Sequence, residues 1–387
     1  MPDPMMPELH CDHCGRVVPA AAHVWRCPNC LGPLTWHGPR QFSRAALVEH
    51  DDSLWRYAAA LPVAAEEAVS LGEGMTPLVQ GTLDGALLHF KLDALLPTGS
   101  FKDRGATVLL SHLRALGVGH AVEDSSGNAA ASIAAYAARA GIACTVYAPA
   151  HASPGKLVQA AAYGGTVERV EGTRDDVAAA AVAAAALPGA TYASHNWHPF
   201  FVAGVTTWAL EVWEQMGYRA PDNVVVPVGG GSMLLGAYRA FSMLRHGGEI
   251  DRLPRLFAAQ AAACAPIALA ARDGSPQPVP VQRQPTLAEG IVIAEPVRGR
   301  ELLAAVLETK GDGAVVSEQE IVAALIDLAR QGLYVEPTSA VAAAATRRLL
   351  MSGDIDPKQT TVVMLSGHGL KATEVITGML DAPTHSP

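Results

Sequence analysis

The sequence is poor in lysine and has no excess of positive charge. Its 387 residues include only six lysines, which are Lys91, Lys102, Lys156, Lys310, Lys358 and Lys371. The formal net charge is −9 at pH 7, so a nucleic acid is not expected as a partner. Chemistry that depends on a lysine amine therefore has few candidate positions in this chain.

Long apolar runs are also absent. The longest extends only from Val177 to Leu187, which is too short to cross a bilayer, and no signal peptide precedes the first cysteines. We therefore expect no membrane partner and a cytoplasmic location. Half of the residues are hydrophobic, enough for a sizeable core spread over two or three domains.

Lys102 lies in the segment Pro97–Gly105, where a Gly-Ser turn leads into a predicted helix. A lysine that forms a Schiff base must lose its proton, and an anchored position with restricted solvent favours the neutral amine. Lys102 fits this requirement best among the six lysines. From these residues alone, the alternative is an ordinary surface lysine in the first turn of a helix.

Three further segments each place a polar or glycine-rich turn directly after an apolar strand. They are Asp124–Ser132, Val224–Ser232 and Thr361–Lys371. Backbone N–H groups at the start of a helix attract anions, and glycines let the chain wrap closely around a phosphate. Each turn alone is a weak signal, since many α/β proteins use such turns as connectors. The three turns in this order, together with Lys102, are a strong signal of a functional site.

In this order the segments resemble fold-type II pyridoxal-phosphate (PLP) enzymes, and among these the threonine synthase branch. The resemblance covers about Leu71 to Lys371 and begins with Leu71–Leu78, which is similar to the opening motif of that branch. It implies an α/β fold of the tryptophan synthase β type, with two three-layer domains built on parallel sheets. It also implies PLP as the cofactor, a small amino acid as the substrate and, by analogy with the fold type, a homodimer.

The family pattern implies roles for individual residues. Lys102 would be the catalytic Schiff-base lysine, Asn128 would bind the 3-hydroxyl of PLP, and Ser366 would contact the pyridine nitrogen. The implied phosphate cup comprises Gly229, Gly230, Gly231 and Ser232. The implied loop for the substrate α-carboxylate comprises Ser125, Ser126, Gly127 and Ala129. A neutral hydroxyl at the pyridine nitrogen suits elimination and replacement at Cβ or Cγ better than transamination.

Four of the six cysteines form two C-x-x-C motifs, Cys11 with Cys14 and Cys27 with Cys30. This spacing is typical of a zinc ribbon, and four thiolates leave no open coordination position, so we expect a structural Zn²⁺. Gly15 and Gly32 are expected where the two motifs turn. The alternatives are a ribbon that no longer binds metal and a reversible dithiol pair. Removal of residues 1–39 is expected to spare most of the activity.

The predicted organisation has three parts, which are a zinc ribbon (1–40), a helical connector (41–70) and a PLP-dependent catalytic region (71–380). Within the catalytic region, predicted strands alternate with predicted helices as in parallel βαβ units. The strands are expected at 87–91, 121–124, 144–148, 167–170, 224–228, 256–260 and 362–365. Its smaller domain is expected at about 96–205, and its larger domain combines 71–95 and 206–380. The segment Asp273–Pro285, rich in Pro and Gln, is predicted to be a loop.

The substrate stays open because the chain departs from the family pattern. Threonine synthases that act on O-phosphohomoserine carry Asn-Pro-x-Arg where this chain has Ser194–Phe201, and their phosphate-binding arginine corresponds to Phe201. Phenylalanine cannot donate a bidentate hydrogen bond to a dianion. Lys156 and Arg104 are the candidates for another cation.

Several other residues have two interpretations. His195 and His198 are either acid–base groups of the active site or core and capping histidines. Whether Glu289 faces the pyridoxal ring stays open. Glu336 lies in a segment similar to one that lines the cofactor in threonine dehydratases and synthases. Lys371 is expected just outside the residues that contact the cofactor.

The leading hypothesis is a PLP-dependent carbon–oxygen lyase of the threonine synthase type, with O-phosphohomoserine to threonine as the default reaction. One alternative is β-elimination by a threonine or serine dehydratase or a diaminopropionate-type ammonia-lyase. Another is a β-replacement synthase. A PLP-binding protein without activity is disfavoured, because Lys102, Asn128, Ser366 and the glycine-rich turn are all present.

Overall fold

The structure, a computed structural model, describes residues 6–152 and 154–381. The chain divides into two compact units, described separately below. Unit 1 comprises residues 6–75, 96–211 and 242–251, and unit 2 comprises residues 76–95, 212–241 and 252–381. Strands and helices are numbered in chain order through both units.

Unit 1 combines a small antiparallel hairpin with a four-stranded parallel sheet and its helices. The hairpin is β1 (Glu8–His10) and β2 (Val17–Pro19). The other elements are α1 (Lys102–Ala115), β5 (His120–Glu123), α2 (Asn128–Ala140), β6 (Ala143–Pro149), α3 (Pro154–Ala162), β7 (Thr166–Val170), α4 (Arg174–Ala185), β8 (Ala190–Tyr192), α5 (Pro199–Val205) and the start of α6 (Thr207–Gln215).

The parallel sheet of unit 1 has the order β7-β6-β5-β8. In the pair β5 and β8, Val122 lies opposite Tyr192. Because both strands run in the same direction, the loops that follow them emerge side by side at one edge of the sheet. Ligands of open parallel sheets bind at this edge.

Local sequence explains several helices of unit 1. The alanine-rich α2 ends at Gly141, which takes the left-handed conformation (φ +72°) of a helix C-cap. Helix α4 begins with a capping box formed by Thr173 and Asp176. Helices α1 and α5 approach so closely at Gly204 that a Cβ on this residue would clash with the Arg104 carbonyl oxygen. Only glycine fits at this contact.

Unit 2 contains a six-stranded sheet and the remaining helices. Its elements are β3 (Leu78–Leu83), β4 (Ala86–Lys91), β9 (Asn223–Pro227), α7 (Ser232–His246, which ends in unit 1), β10 (Arg255–Ala261), α8 (Pro266–Arg272), α9 (Gly299–Glu308), β11 (Asp312–Val316), α10 (Glu318–Arg330), α11 (Pro337–Ser352), β12 (Thr361–Met364) and α12 (Thr373–Asp381).

The sheet of unit 2 has the order β11-β10-β9-β12-β4-β3, and all neighbours are parallel except β3 and β4. Every residue of β9 and β12 is buried, as expected for central strands of a parallel sheet covered on both faces. The antiparallel edge strand β3 is joined to β4 by Asp84 and Gly85, both with positive φ, which is the geometry of a two-residue hairpin turn.

The predicted fold class is confirmed, with one difference in the sheet of unit 2. Strands β4, β5, β6, β7, β9, β10 and β12 lie within one or two residues of their predicted positions. Strands β3, β8 and β11 were not predicted, and β3 makes this sheet mixed rather than purely parallel. Residues 273–288 form neither helix nor strand, as predicted.

The segment before the catalytic region is helical only in short turns. It contains three 3₁₀ helices, at Arg44–Ala46, Leu54–Ala60 and Ala65–Glu67. Trp55 and Tyr57 of the second are buried. Trp55 donates hydrogen bonds to Glu73 (3.3 Å) and Thr107 (3.2 Å), so this segment is fastened to helix α1 of unit 1.

Candidate active site

Lys102 is the first residue of α1, in unit 1. Its Nζ lies 4.8 Å from the ring centroid of Phe101 and 5.6 Å from that of Phe201. The next residue, Asp103, is buried and accepts hydrogen bonds from the Thr98 backbone N–H (2.7 Å) and hydroxyl (2.5 Å). Burial raises the pKa of Asp103 to about 6. These bonds fix the turn that presents Lys102.

The predicted carboxylate loop follows β5 in the same unit. Ser125, Ser126 and Gly127 are half-buried, Asn128 starts α2, and Ala129 is buried in the first turn of that helix. The Gly127 N–H donates to the Ser125 hydroxyl at 3.2 Å. The loop thus presents hydroxyl groups at the start of a helix, an arrangement that favours an anion.

A buried pair of titratable residues, Glu123 and His195, lies at the same edge of the sheet. Glu123 ends β5, and its Oε1 is 2.5 Å from His195 Nδ1. Burial raises the pKa of Glu123 to about 8, while the positive charges of Arg174 and Lys102 oppose this shift. Burial also holds the pKa of His195 well below its ordinary value. Sequence analysis singled out His195 but missed Glu123, although two acidic residues at the end of a predicted strand were a signal.

Phe201 and the two proposed substitutes for the missing arginine have different settings. Phe201 is fully buried, and a Cβ on Gly105 would lie 2.5 Å from its ring. Arg104 is also fully buried and forms a bidentate ion pair with Glu211, at 2.5 and 2.8 Å. Arg104 is therefore committed within the protein, and the side chain of Lys156 lies outside what the structure describes.

His198 is a capping and core histidine. It is the N-cap of α5, where its Nδ1 accepts a hydrogen bond from the Phe200 N–H at 3.3 Å. Its exposed fraction is 1%, and its ring packs against those of Phe200 and His112. His198 thus orients the loop that carries His195.

The predicted phosphate cup and Ser366 lie together in unit 2. Gly229, Gly230 and Gly231 follow β9 and precede Ser232, the first residue of α7, while Ser366 follows the neighbouring parallel strand β12. Val225 of β9 lies opposite Val363 of β12. Ser366, three residues beyond Val363, is therefore level with Val228, the residue directly before the glycine turn. The sheet register brings these predicted residues to one edge.

Contacts within unit 2 restrict this turn. A Cβ on Gly229 would lie 2.9 Å from Ile291 Cα, and Gly231 has φ +80° with its Cβ position 2.3 Å from the Leu302 side chain. The Ser366 Oγ lies 3.2 Å from the Ser339 Oγ, which in turn accepts from the Gly367 N–H at 2.8 Å. These contacts leave no room for a side chain at Gly229 or Gly231.

Glu336, Glu289 and Lys371 also lie in unit 2. Glu336 is the N-cap of α11, and its carboxylate is close enough to Gly367 that a Cβ there would clash at 2.4 Å. Glu289 is exposed at the start of the 3₁₀ helix Glu289–Ile291, whose Ile291 packs on Gly229. Lys371 is partly exposed in the 3₁₀ helix Gly369–Ala372.

Two features of the chain fit a phosphorylated pyridoxal cofactor. The Ser100 Oγ, two residues before Lys102, is buried and has no hydrogen-bond partner among the described residues. In unit 2, the glycine turn leads directly into the N-terminus of α7, a setting that suits a phosphate. The donor set of an amine, neutral hydroxyls and backbone N–H groups suits PLP.

The four cysteines of the two C-x-x-C motifs are brought together in unit 1. Their sulfur atoms all lie within 4.8 Å of one another, with Cys11 to Cys30 at 3.4 Å and Cys14 to Cys27 at 3.6 Å. Tetrahedral zinc with bonds of about 2.3 Å places its sulfurs about 3.8 Å apart. The first motif turns at Gly15 (φ +72°), but the second turns at Leu31 (φ +60°) rather than at Gly32.

The ribbon packs on the rest of unit 1 through apolar contacts. Leu9, Val18 and Leu34 belong to one buried cluster with Val108 of α1 and Phe200 of α5. The Trp25 ring makes edge contacts with Tyr192 (4.7 Å) and Trp197 (5.5 Å). This packing joins the ribbon to the loop of His195, so removal of residues 1–39 would expose apolar side chains. That the removal spares most of the activity stays a prediction.

None of the helices in the described part of the chain combines the length and apolar composition of a membrane span.

Comparison with known proteins defines the class of protein. The family model for "Pyridoxal-phosphate dependent enzyme" matches residues 69–367. The chain belongs to this family, and it is a PLP-dependent enzyme. The processed form of threonine deaminase isoform 2 from Solanum lycopersicum shares the fold, with a TM-score of 0.68, 20% identity and coverage of 89% of this chain and 96% of that chain.

Similarity in sequence is greater to threonine synthases. The chain is 33% identical to the threonine synthase of Methanosarcina acetivorans, over 98% of this chain and 96% of the relative. It is 38% identical to the threonine synthase of Methanocaldococcus jannaschii, over 85% of this chain and 83% of the relative. The first match includes nearly the whole chain, the cysteine-rich N-terminal segment among it.

Proposed function

We propose that this PLP-dependent lyase is of the threonine synthase type and converts O-phosphohomoserine and water into threonine and phosphate. The observation that carries the proposal is the 33% identity to a threonine synthase over 98% of the chain. The position of Lys102 at the start of α1, where its charge acts on Glu123 at the end of β5, supports it.

The proposed roles follow from the settings of the residues. Bound PLP would withdraw electrons from Cα of the substrate. Lys102 would hold the cofactor and then move protons at Cα and Cβ, while Ser125, Ser126 and the N–H groups at Gly127 and Ala129 would hold the α-carboxylate. Asn128 would donate to the 3-hydroxyl. Gly229, Gly230, Gly231 and Ser232 would bind the cofactor phosphate, and Ser366 would contact the pyridine nitrogen as a neutral hydroxyl.

A second candidate function, threonine or serine dehydratase, is favoured by one observation. Phe201 occupies the position of the phosphate-binding arginine, and Arg104 is already paired with Glu211. Neither residue offers a cation to a substrate phosphate. A substrate with a plain hydroxyl as the leaving group does not need that cation. A dehydratase function is therefore compatible with Phe201 at this position.

Parallel assays of one enzyme preparation separate the two functions. We expect kcat/KM for threonine formation from O-phosphohomoserine to exceed that for 2-oxobutyrate formation from threonine, and O-phosphoserine to be a poor substrate. The Lys102→Ala protein serves as the blank for reactions of free PLP. A higher kcat/KM for 2-oxobutyrate formation from threonine would replace the proposal by the dehydratase.

We also propose that Cys11, Cys14, Cys27 and Cys30 bind one structural Zn²⁺, because their four sulfurs approach the spacing of a tetrahedral thiolate site. Metal analysis of the purified protein should then give about one zinc per chain. Cys11→Ser with Cys27→Ser should abolish binding, whereas Cys144→Ser, a buried cysteine outside the ribbon, should not. A disulfide in the metal-free wild type would favour the dithiol alternative.

A further inference from the structure

The pair Glu123 and His195 has the geometry of an oriented proton-transfer unit. Glu123 is fully buried, whereas the His195 side chain is 10% exposed. The carboxylate contacts His195 Nδ1 at 2.5 Å and also accepts from the His195 backbone N–H at 3.3 Å. Two bonds to one carboxylate fix the orientation of the ring. No hydrogen bond to His195 Nε2 is found within the described residues, so this atom is available to a ligand.

The position of His195 relates it to the predicted reaction site. In the parallel pair β5 and β8, Val122 lies opposite Tyr192, so Ser125 and His195 each stand three residues beyond this pair. The ring of His195 contacts Phe201 at 6.0 Å, and the same Phe201 ring lies 5.6 Å from Lys102 Nζ. The predicted carboxylate loop, Lys102 and His195 thus share one edge of unit 1.

Other charged and titratable groups surround the pair from each neighbouring element. They are Lys102 on α1, Asp124 after β5, Cys144 on β6, Arg174 on α4 and Tyr192 on β8. Asp124 is itself paired with Arg174 (2.8 Å) and accepts from the Tyr192 hydroxyl (2.6 Å). The positive charges of Lys102 and Arg174 both act on the pair.

The number of protons bound by the pair Glu123–His195 decides whether Nε2 of His195 is a hydrogen-bond donor or acceptor. With the shared proton present, either the Glu123 hydroxyl donates to Nδ1 or the imidazolium donates to the carboxylate, and Nε2 carries a hydrogen in both cases. With that proton lost, the carboxylate accepts from Nδ1–H, and Nε2 becomes a lone-pair acceptor. The pair therefore changes from an acid to a base at one atom, and its ionisation belongs to the pair.

We propose that Nε2 of His195 is the base that removes a proton from the water molecule added at Cβ, with Glu123 orienting the ring and sharing its proton. This inference deepens the proposed function and rests on it. Lys102 alone would otherwise have to move every proton in the reaction, including the one on water. A second group with a pKa close to the working pH relieves Lys102 of that step.

The step balances without a further reagent. The water oxygen forms a bond to Cβ of the unsaturated substrate, and one O–H bond breaks, with its proton transferred to Nε2. The electron pair of the Cα–Cβ double bond moves to Cα, where Lys102 then supplies a proton to give threonine. The proton on His195 leaves to solvent through the exposed part of its ring. No oxidation or reduction takes place.

The first test does not depend on activity. The holoenzyme is labelled with ¹⁵N-histidine, and the Nε2 signal of His195, assigned by its loss in His195→Gln, is followed from pH 5 to 10. We expect Nε2 to lose its hydrogen with a midpoint near pH 8, the value to which the pKa of Glu123 is raised. In Glu123→Gln this transition should vanish. A His195 signal that titrates in the ordinary range of an isolated histidine would overturn the proposal.

The second test follows the products from O-phosphohomoserine. His195→Gln should lower kcat for threonine by about 10²- to 10⁴-fold, with KM little changed. It should also raise the fraction of 2-oxobutyrate, because substrate that has lost phosphate but gained no water is released and hydrolysed. His120→Gln is the matched control, since His120 lies at the opposite end of β5 and bonds to Thr145 at 2.9 Å.

Failures of the two proposals are distinguishable. If wild type forms threonine but His195→Gln keeps the wild-type product ratio and pH profile, the role of His195 is wrong and the threonine synthase function stands. If wild type forms no threonine, both the function and the water-activation step are wrong, whatever the NMR titration shows. Glu123→Gln, which keeps the size of the side chain, gives the same readouts if His195→Gln does not fold.

Discussion

The two units bring different chemistry to their candidate residues. In unit 1, Glu123, Asp124 and His195 are buried, and burial together with neighbouring charges shifts their pKa values. In unit 2, the candidate residues are three glycines and two serines, which carry no charge. Unit 1 is thus built to move protons, and unit 2 to hold a group by neutral donors.

This difference follows from what each sheet edge presents. The loops after β5 and β8 carry acidic, hydroxyl and imidazole side chains, whereas the loops after β9 and β12 carry backbone N–H groups and hydroxyls. A buried charge needs a partner or a shifted pKa, so unit 1 requires the ion pairs around Asp124. Backbone donors need only close approach, so unit 2 requires glycine.

Replacing Lys102 should have the largest effect. Lys102→Ala removes the amine that we propose to bind PLP and move protons, so activity should fall by more than about 10³-fold. The holoenzyme should lose the visible absorbance of the lysine-bound cofactor, whereas the exposed Lys358→Ala should keep both. Borohydride reduction and peptide mapping check the assignment, and a pyridoxyl group on another lysine would contradict it.

Removing the ribbon tests whether unit 1 depends on it. Deletion of residues 1–39 exposes Leu54, Val108 and Phe200, and each large apolar side chain exposed costs about 1.5–3 kcal/mol. We expect the deletion protein to unfold several degrees lower or to aggregate. Trp25→Ala, which removes only the contacts with Tyr192 and Trp197, should have a smaller effect in the same thermal unfolding experiment. A truncated enzyme with wild-type stability and kcat would show that the ribbon is an independent appendage.

Ser366 tests whether neutral donors in unit 2 are sufficient. Ser366→Ala removes the hydroxyl that we propose to contact the cofactor, and a loss of about 1 kcal/mol corresponds to roughly fivefold weaker PLP binding. The dissociation constant can be measured by absorbance after removal of PLP, with the exposed Ser352→Ala as a control. Ser366→Asp should introduce transamination, because a carboxylate keeps the pyridine nitrogen protonated. Unchanged affinity in Ser366→Ala would remove Ser366 from the site.

The last predicted effect is a pH dependence of stability that comes from unit 1. Between pH 6.5, the ordinary pKa of histidine, and about 8, the folded pair Glu123–His195 keeps a proton that the unfolded chain has lost. Stability should therefore fall as pH rises through this window, by at most about 1.4 kcal/mol per pH unit. Between pH 4.5 and 6.5 both states bind one proton, and the pair contributes no slope. Below pH 4.5 the unfolded chain binds more protons than the folded pair, so stability should also decrease as the pH is lowered through this range.

Unfolding midpoints of wild type and Glu123→Gln, measured from pH 5 to 9, check this expectation. The variant should lack the decrease above pH 6.5 because it cannot lose the shared proton. Parallel curves for the two proteins over the whole range would show that Glu123 ionises normally in the folded state.

Sequence patterns predicted most of the fold because the patterns depend on local physics. Fully apolar segments such as Val224–Val228 indicate buried parallel strands, and a Gly-Ser turn before Lys102 indicates a helix start. The missed strand β3 had a local signal in Asp84-Gly85, a typical hairpin turn. The missed strands β8 and β11 are short or contain glycine, and their pairing partners rather than their own residues place them in a sheet.

By itself, the sequence determined the family, the Schiff-base lysine as a candidate and the two cysteine motifs, since spacing along the chain is enough to recognise them. Only the tertiary structure decided which distant residues meet. The pairing of Glu123 with His195, the commitment of Arg104 to Glu211 and the packing of Trp25 on Tyr192 each join positions far apart in the chain. Such contacts depend on the register of parallel strands and the burial of charge, which no short stretch of sequence specifies.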